Sequence, residues 1–169
     1  MAGVGVNQRA QIRMTDAEIA EFVRRSRTTT LATNGPTGTP HLVAMWYAVL
    51  DGELWFETKA KSQKVVNLRR NAHAAVMVES GKAYNTLKGV MVRGRANIIE
   101  DTEKVLEVLS LVSRRMAQAT TTMNQKGGTE VSDPITQQAR QLAAKRVVIR
   151  IHPEKWASWD HSKLPPGKY

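Results

Sequence analysis

HLVAMWYAVLDGELWFET, His41 to Thr58, is the stretch whose reading decides the fold. Two runs dense in β-branched, aliphatic and aromatic residues flank Asp51-Gly52. A type I′ turn needs positive φ at both central residues, and Asp-Gly tolerates this well. A hairpin of His41 to Leu50 and Glu53 to Thr58 is therefore expected. Upstream, the run Thr28 to Thr33 leads into a Gly/Pro-rich turn over Asn34 to Pro40. Downstream, Ala74 to Glu79, Gly89 to Ile99 and Arg146 to His152 carry strand patterns. Five or six strands joined by hairpins, with few helices, predict a mainly β fold: an antiparallel barrel with peripheral helices, not a doubly wound sheet.

The helices announce themselves by their caps. Thr15-Asp16-Ala17-Glu18 has capping-box spacing, Ile19, Phe22 and Val23 follow at helical intervals, and the pattern stops near Ser26. Ser62 to Asn71 reads as a short helix with Ser62 as N-cap and Val65, Val66 and Leu68 on its apolar side. Thr102 to about Gln118 places Val105, Leu106, Leu109 and Val112 on one stripe, and Pro134 to about Lys145 starts with proline at a tolerated first position. Residues 119–133, rich in Thr and Gly, read as a mobile loop, and residues 1–14 as a flexible N-terminus. One domain spanning residues 1–169 is expected.

Composition narrows the chemistry. The chain has no cysteine, so disulfides, thiolate zinc sites, iron–sulfur clusters and cysteine nucleophiles are excluded together. The longest apolar run, Leu42 to Leu50, is too short to span a bilayer. The N-terminus lacks an apolar stretch of signal-peptide length, so no membrane association and a cytoplasmic location are expected. No dinucleotide-binding glycine fingerprint, P-loop, nucleophile elbow or His-Glu-x-x-His pair occurs. His41, His73, His152 and His161 are scattered, and no metal site is assigned. The net charge of +10 predicts attraction to polyanions. A nucleic-acid-binding module is one such reading, but no recognised nucleic-acid motif supports it.

The basic residues are densest between Thr58 and Arg70, where Lys59, Lys61, Lys64, Arg69 and Arg70 surround a helix beginning at Ser62. The first amides of a helix lack internal partners and the dipole there is positive, so a hydroxyl at the cap followed by Lys64 makes a candidate phosphate cradle. From spacing alone, a solvated helix with basic residues near its ends is an equal alternative.

The order of hairpin, strand end Phe56-Glu57-Thr58, then Ser62-Gln63-Lys64 running into Asn67-Leu68-Arg69-Arg70-Asn71 resembles the pyridoxamine-phosphate-oxidase-like split barrels. Within them, the spacing from Lys64 to Arg70 is most similar to the actinobacterial deazaflavin (coenzyme F420)-dependent reductases. The resemblance implies an antiparallel split β-barrel and an oxidoreductase that passes a hydride between the deazaflavin and an unsaturated or conjugated organic acceptor. FMN is the alternative cofactor. It places Thr58, Lys59, Ser62, Gln63 and Lys64 at the cofactor phosphate, and His41, Val43, Ala44, Met45 and Trp46 on the strand beside the ring. Gly89 stands where the oxidases have a glutamine near the ring. It further implies a homodimer with the cofactor between subunits, closed by the partner's C-terminal segment, residues 153–169. Gln63 replaces the oxidases' arginine, which weakens an FMN grip, whereas Lys59, Lys61, Arg69 and Arg70 suit a longer polyanion.

Other residues carry competing readings. Trp55 fits core packing, Trp46 either core or ring pocket, and Trp156 and Trp159 an ordered tail docked on a second subunit. His161, beside Asp160, is a candidate proton donor or a surface histidine. Arg93 and Arg95 fit a solvated strand face or a channel for an anionic tail, and Lys82 and Lys88 read as solvated.

Overall fold

The computed structural model describes residues 8–123 and 137–165. In chain order its elements are a helical turn α1 (Gln8–Gln11), α2 (Asp16–Arg25), β1 (Thr28–Asn34), β2 (Pro40–Trp46), β3 (Ala48–Leu50), β4 (Glu53–Lys59), α3 (Gln63–Arg70), β5 (His73–Ser80), β6 (Lys88–Ile99), α4 (Thr102–Met123), α5 (Gln137–Ala143) and β7 (Arg146–Asp160). The strands form one antiparallel sheet in the order β2-β1-β5-β6-β7-β4-β3. It is the curled half-barrel of a split barrel.

The expected strand His41 to Leu50 is in fact two. It breaks at Tyr47, and the pieces β2 and β3 lie at opposite edges of the sheet. With a single residue between them, the sheet must curl until its two edges meet. Tyr47 is 1% exposed, and its hydroxyl donates to the Val23 carbonyl of α2 at 2.6 Å. The Asp51-Gly52 turn has the expected geometry, with φ of 52° and 77°, and joins β3 to β4 in register from Ala48–Trp55 to Leu50–Glu53.

Alternation along the strands sorts the core into two layers. Leu31, Leu54, Phe56, Val76, Val90, Ile149 and Ile151 point into the half-barrel and pack with Val65 and Leu68 of α3. Trp55 and Val148 point outward, under Val105, Val108 and Val112 of α4. Leu54, Trp55 and Phe56 are thus buried consecutively, which is why alternation in the sequence is ambiguous there. Trp55 is core, as expected. Val66 is the exception on α3: it is 48% exposed, and its place on the inner side is taken by Asn67.

Helix α2 has its capping box, with the Thr15 amide on Glu18 and the Glu18 amide on Thr15 Oγ1. Helix α4 runs further than expected, so residues 119–123 are helical rather than loop; residues 124–133 lie outside the described residues. α5 is described from Gln137, and 134–136 of the expected helix lie outside too.

β7 runs past the expected end at His152 to Asp160, because a bulge opposite Arg93/Gly94 absorbs Glu154 between the Gly94–Pro153 and Arg93–Lys155 pairs. Trp156 and Trp159 therefore belong to the chain's own sheet. Residues 12–14 are strapped to that strand as well: Asp160 N donates to the Ile12 carbonyl, and Met14 N to Ser158 Oγ. Lys88, expected to be solvated, pairs with the buried Asp160 carboxylate at 2.8 Å. Burial opposes ionisation of Asp160, but Lys88 and two bonds from Ser162 outweigh it and hold its pKa below the usual value. Among the described residues no helix is long and apolar enough to cross a membrane.

Candidate functional site

Where the sheet's edge strand β2 comes round to the end of β4, a cleft of about 530 Å³ opens. One wall is Ala44, Met45 and Trp46 of β2 with Thr28 of β1. The opposite wall is Glu57, Thr58 and Lys59 from the end of β4, then Ser62 and Lys64 from the start of α3. Arg146 of β7 and Val112 of α4 close the remaining side.

The β4–α3 junction owes its shape to short-range bonds. Ala60 N donates to the Lys145 carbonyl, and Ser62 N turns back onto the Lys59 carbonyl, both at 3.0 Å. Inside α3, Asn67 is fully buried; its Nδ2 donates to Thr33 Oγ1 at 3.0 Å and its Oδ1 accepts from Gln63 Nε2 at 2.8 Å. The asparagine thus ties the helix to β1, which explains its place in the Lys64 to Arg70 motif. Asn67→Ala should cost about 2 kcal/mol in urea unfolding, because the Thr33 hydroxyl loses its buried donor. An unchanged unfolding midpoint would remove this structural reading of the motif.

Ser62 occupies the N-cap position, but its hydroxyl does not cap the helix. Instead Ser62 Oγ is buried with no hydrogen-bond partner among the described residues. A buried hydroxyl without a partner carries a desolvation cost, and this one sits in the cleft beside the α3 amides that have no helical acceptor. Lys64, 9% exposed, forms no ion pair among the described residues. Burial pushes its pKa below the usual lysine range, and the nearby Glu57 carboxylate only partly offsets this. Glu57 is itself engaged by the Arg146 guanidinium. Lys59 and Arg146 are direct partners in the β4–β7 register, a like-charge juxtaposition that costs stability on a sheet. Three cations and one carboxylate therefore line the same cleft. The residues fit a phosphate: a largely buried lysine, a buried hydroxyl lacking a partner among the described residues and a helix start converge on one cavity.

Of the candidates from sequence, Ala44, Met45, Trp46, Thr58, Lys59, Ser62 and Lys64 are brought together here. The others lie elsewhere. Val43 packs against the interior core, and His41 stands five residues, about 17 Å of strand, from Trp46. Gln63 is exposed and bonded to Asn67. Gly89 lies on β6, three strands from β2, and the Trp159 indole covers it so closely that an added Cβ would fall 2.1 Å from the ring. His161 Nδ1 lies 2.8 Å from the Tyr84 carbonyl, with the two rings in contact, and it does not line the cleft. Arg69 pairs with Glu100 and Arg70 donates to the Asn34 carbonyl, so neither guanidinium supplements the cleft's charge. Glu57 and Arg146 were missed. Their only trace in the sequence is a carboxylate at a strand end and a cation opening another strand.

The match to known proteins agrees with this geometry. Residues 15–160 fit the family model described as pyridoxamine 5'-phosphate oxidase. A conserved hypothetical protein from Mycobacterium tuberculosis is 46% identical over 95% of each chain, with a TM-score of 0.75. An F420 reductase shares the fold at 24% identity, 81% of this chain, 94% of that one and a TM-score of 0.52. An FAD-binding protein from Mesorhizobium loti does so at 21% identity, 86% and 94% coverage and a TM-score of 0.62. No curated protein matches the sequence. With a half-barrel whose edges meet at Tyr47, and a family match over nearly all the described residues, the chain belongs to the pyridoxamine 5'-phosphate oxidase family.

Proposed function

We propose that the protein is an oxidoreductase that binds the deazaflavin coenzyme F420 in the β2/β4–α3 cleft and works with it on an unsaturated or conjugated small-molecule acceptor. The observation that carries this reading is the largely buried Lys64, which forms no ion pair among the described residues, lining one cleft with a Ser62 hydroxyl that has no hydrogen-bond partner among them. Lys64, Ser62 and Thr58 hold the cofactor phosphate, and exposed Lys59 and Lys61 face the anionic tail beyond it. Ala44, Met45 and Trp46 form the wall for the ring. When bound, the deazaflavin supplies the hydride; the protein contributes orientation and a dry cavity. The accompanying proton comes from solvent, since His161 lies outside the cleft.

The reading includes a homodimer. One continuous cross-strand row, Ala44, Thr30, Met77, Met91 and Ala157, crosses one face of the sheet from β2 through β1, β5 and β6 to β7. Leu42 and Trp46 beside it are 62% and 50% exposed, a patch whose burial by a second copy is favourable. That copy would also dry the cleft at Trp46.

Equilibrium titration of the purified protein with F420 and with FMN, read by cofactor fluorescence, tests the proposal. Micromolar or tighter binding of F420, with FMN weaker, is expected. FMN binding more tightly than F420 would replace the deazaflavin by the flavin, and absence of binding by both would sink the proposal.

A further inference from the structure

Glu57 is an unexpected group to find in a phosphate cleft. Its side chain is 15% exposed, it lines the same cavity as Ser62, Lys59 and Lys64, and it takes up the Arg146 guanidinium. That ion pair occupies a cation suited to phosphate, because a guanidinium fork matches phosphate oxygens as well as carboxylate oxygens. A carboxylate so placed also repels any anion that enters, in proportion to the anion's charge.

Resting on the cofactor reading above, we infer that Glu57 and Arg146 together set which phosphate the cleft accepts: Arg146 is a further anchor, and Glu57 shifts the preference from a doubly charged phosphomonoester toward a singly charged phosphodiester. A phosphodiester carries one negative charge at neutral pH; a monoester, whose second ionisation lies near pH 6, carries nearly two. Lys59, Lys64 and Arg146 less Glu57 leave a local excess of two positive charges, enough for either group. The three cations attract the monoester more strongly than the diester, and Glu57 is the group that reduces that advantage. Glu57 meets the monoester with twice the charge it meets in the diester, inside a partly desolvated cleft where the interaction is poorly screened. F420 joins its tail through a phosphodiester and FMN ends in a monoester, so the carboxylate tilts the pocket toward F420 without contacting either ring. Carboxylates on a tail lie beyond the phosphate, nearer solvent, where screening is stronger.

The test is the ratio of FMN to F420 affinity in Glu57→Gln and Arg146→Gln against wild type, with thermal melts to confirm folding. Differences in ring binding cancel in the ratio. Glu57→Gln should raise FMN affinity by about tenfold relative to F420, the order expected for one extra unit of charge at a protein surface. Arg146→Gln should weaken both, FMN more. An unchanged ratio in Glu57→Gln, or undiminished binding in Arg146→Gln, overturns the inference while wild-type F420 binding leaves the proposed function standing. If wild type binds neither cofactor, the proposed function falls and this inference with it.

Discussion

Lys64→Met lowers affinity for F420 by about 100-fold, the loss expected for a buried charge-assisted contact to phosphate, and leaves the protein at least as stable as wild type. Both halves follow from the same geometry. Lys64 is 9% exposed as a residue, its ammonium forms no ion pair among the described residues, and burial lowers its pKa against the partial support of Glu57. A charge in that position is a cost to the folded state that only an incoming anion removes. Methionine keeps an unbranched side chain but discards the charge. Loss of function without loss of stability marks a residue retained for binding. Fluorescence titration and urea unfolding of the one variant check both outcomes. Unchanged affinity would remove Lys64 from the site; a fall in stability of more than about 2 kcal/mol would show that the ammonium has a structural partner.

The parts of this molecule legible in its sequence are those decided over a few residues. The Thr15 capping box and the Asp51-Gly52 turn depend on neighbours within three positions, and both stand as expected. The start of α3 was also visible, though not the behaviour of Ser62, whose hydroxyl is buried without capping its own helix. What escaped depends on distant pairing. Nothing in the continuous run Val43 to Leu50 says that the chain leaves one sheet edge at Tyr47 and joins the other. That jump follows only from closing the barrel. Glu57 and Arg146 are 89 residues apart, and the β4–β7 ladder alone brings them together. The second half of β7 was hidden by Pro153, Glu154 and Lys155, which look like the end of a strand until a bulge is allowed for.

That bulge carries the largest expected loss of stability. Gly94→Ala should destabilise the protein by about 3 kcal/mol or more, the range of overpacking that no rotamer change can relieve. For a chain of this size the melting temperature should fall by roughly 10 °C. A Cβ on Gly94 would lie 2.0 Å from the His152 carbonyl oxygen and 2.9 Å from its carbon. Both atoms are backbone of the paired strand, so relief requires β7 to move away from β6, and the register from Gly94–Pro153 to Ile99–Val148 moves with it. Proline at position 153 has no N–H to offer the ladder and is tolerated because the bulge asks for none there. Gly38→Ala is the control. Gly38 has φ of +86°, yet an added Cβ meets nothing within 4 Å, so only the backbone preference is lost, about 1 kcal/mol. A large loss in the first variant and a small one in the second separate close strand approach from conformational strain. Equal, small losses would mean that β6 and β7 do not approach at Gly94 as closely as the fold requires.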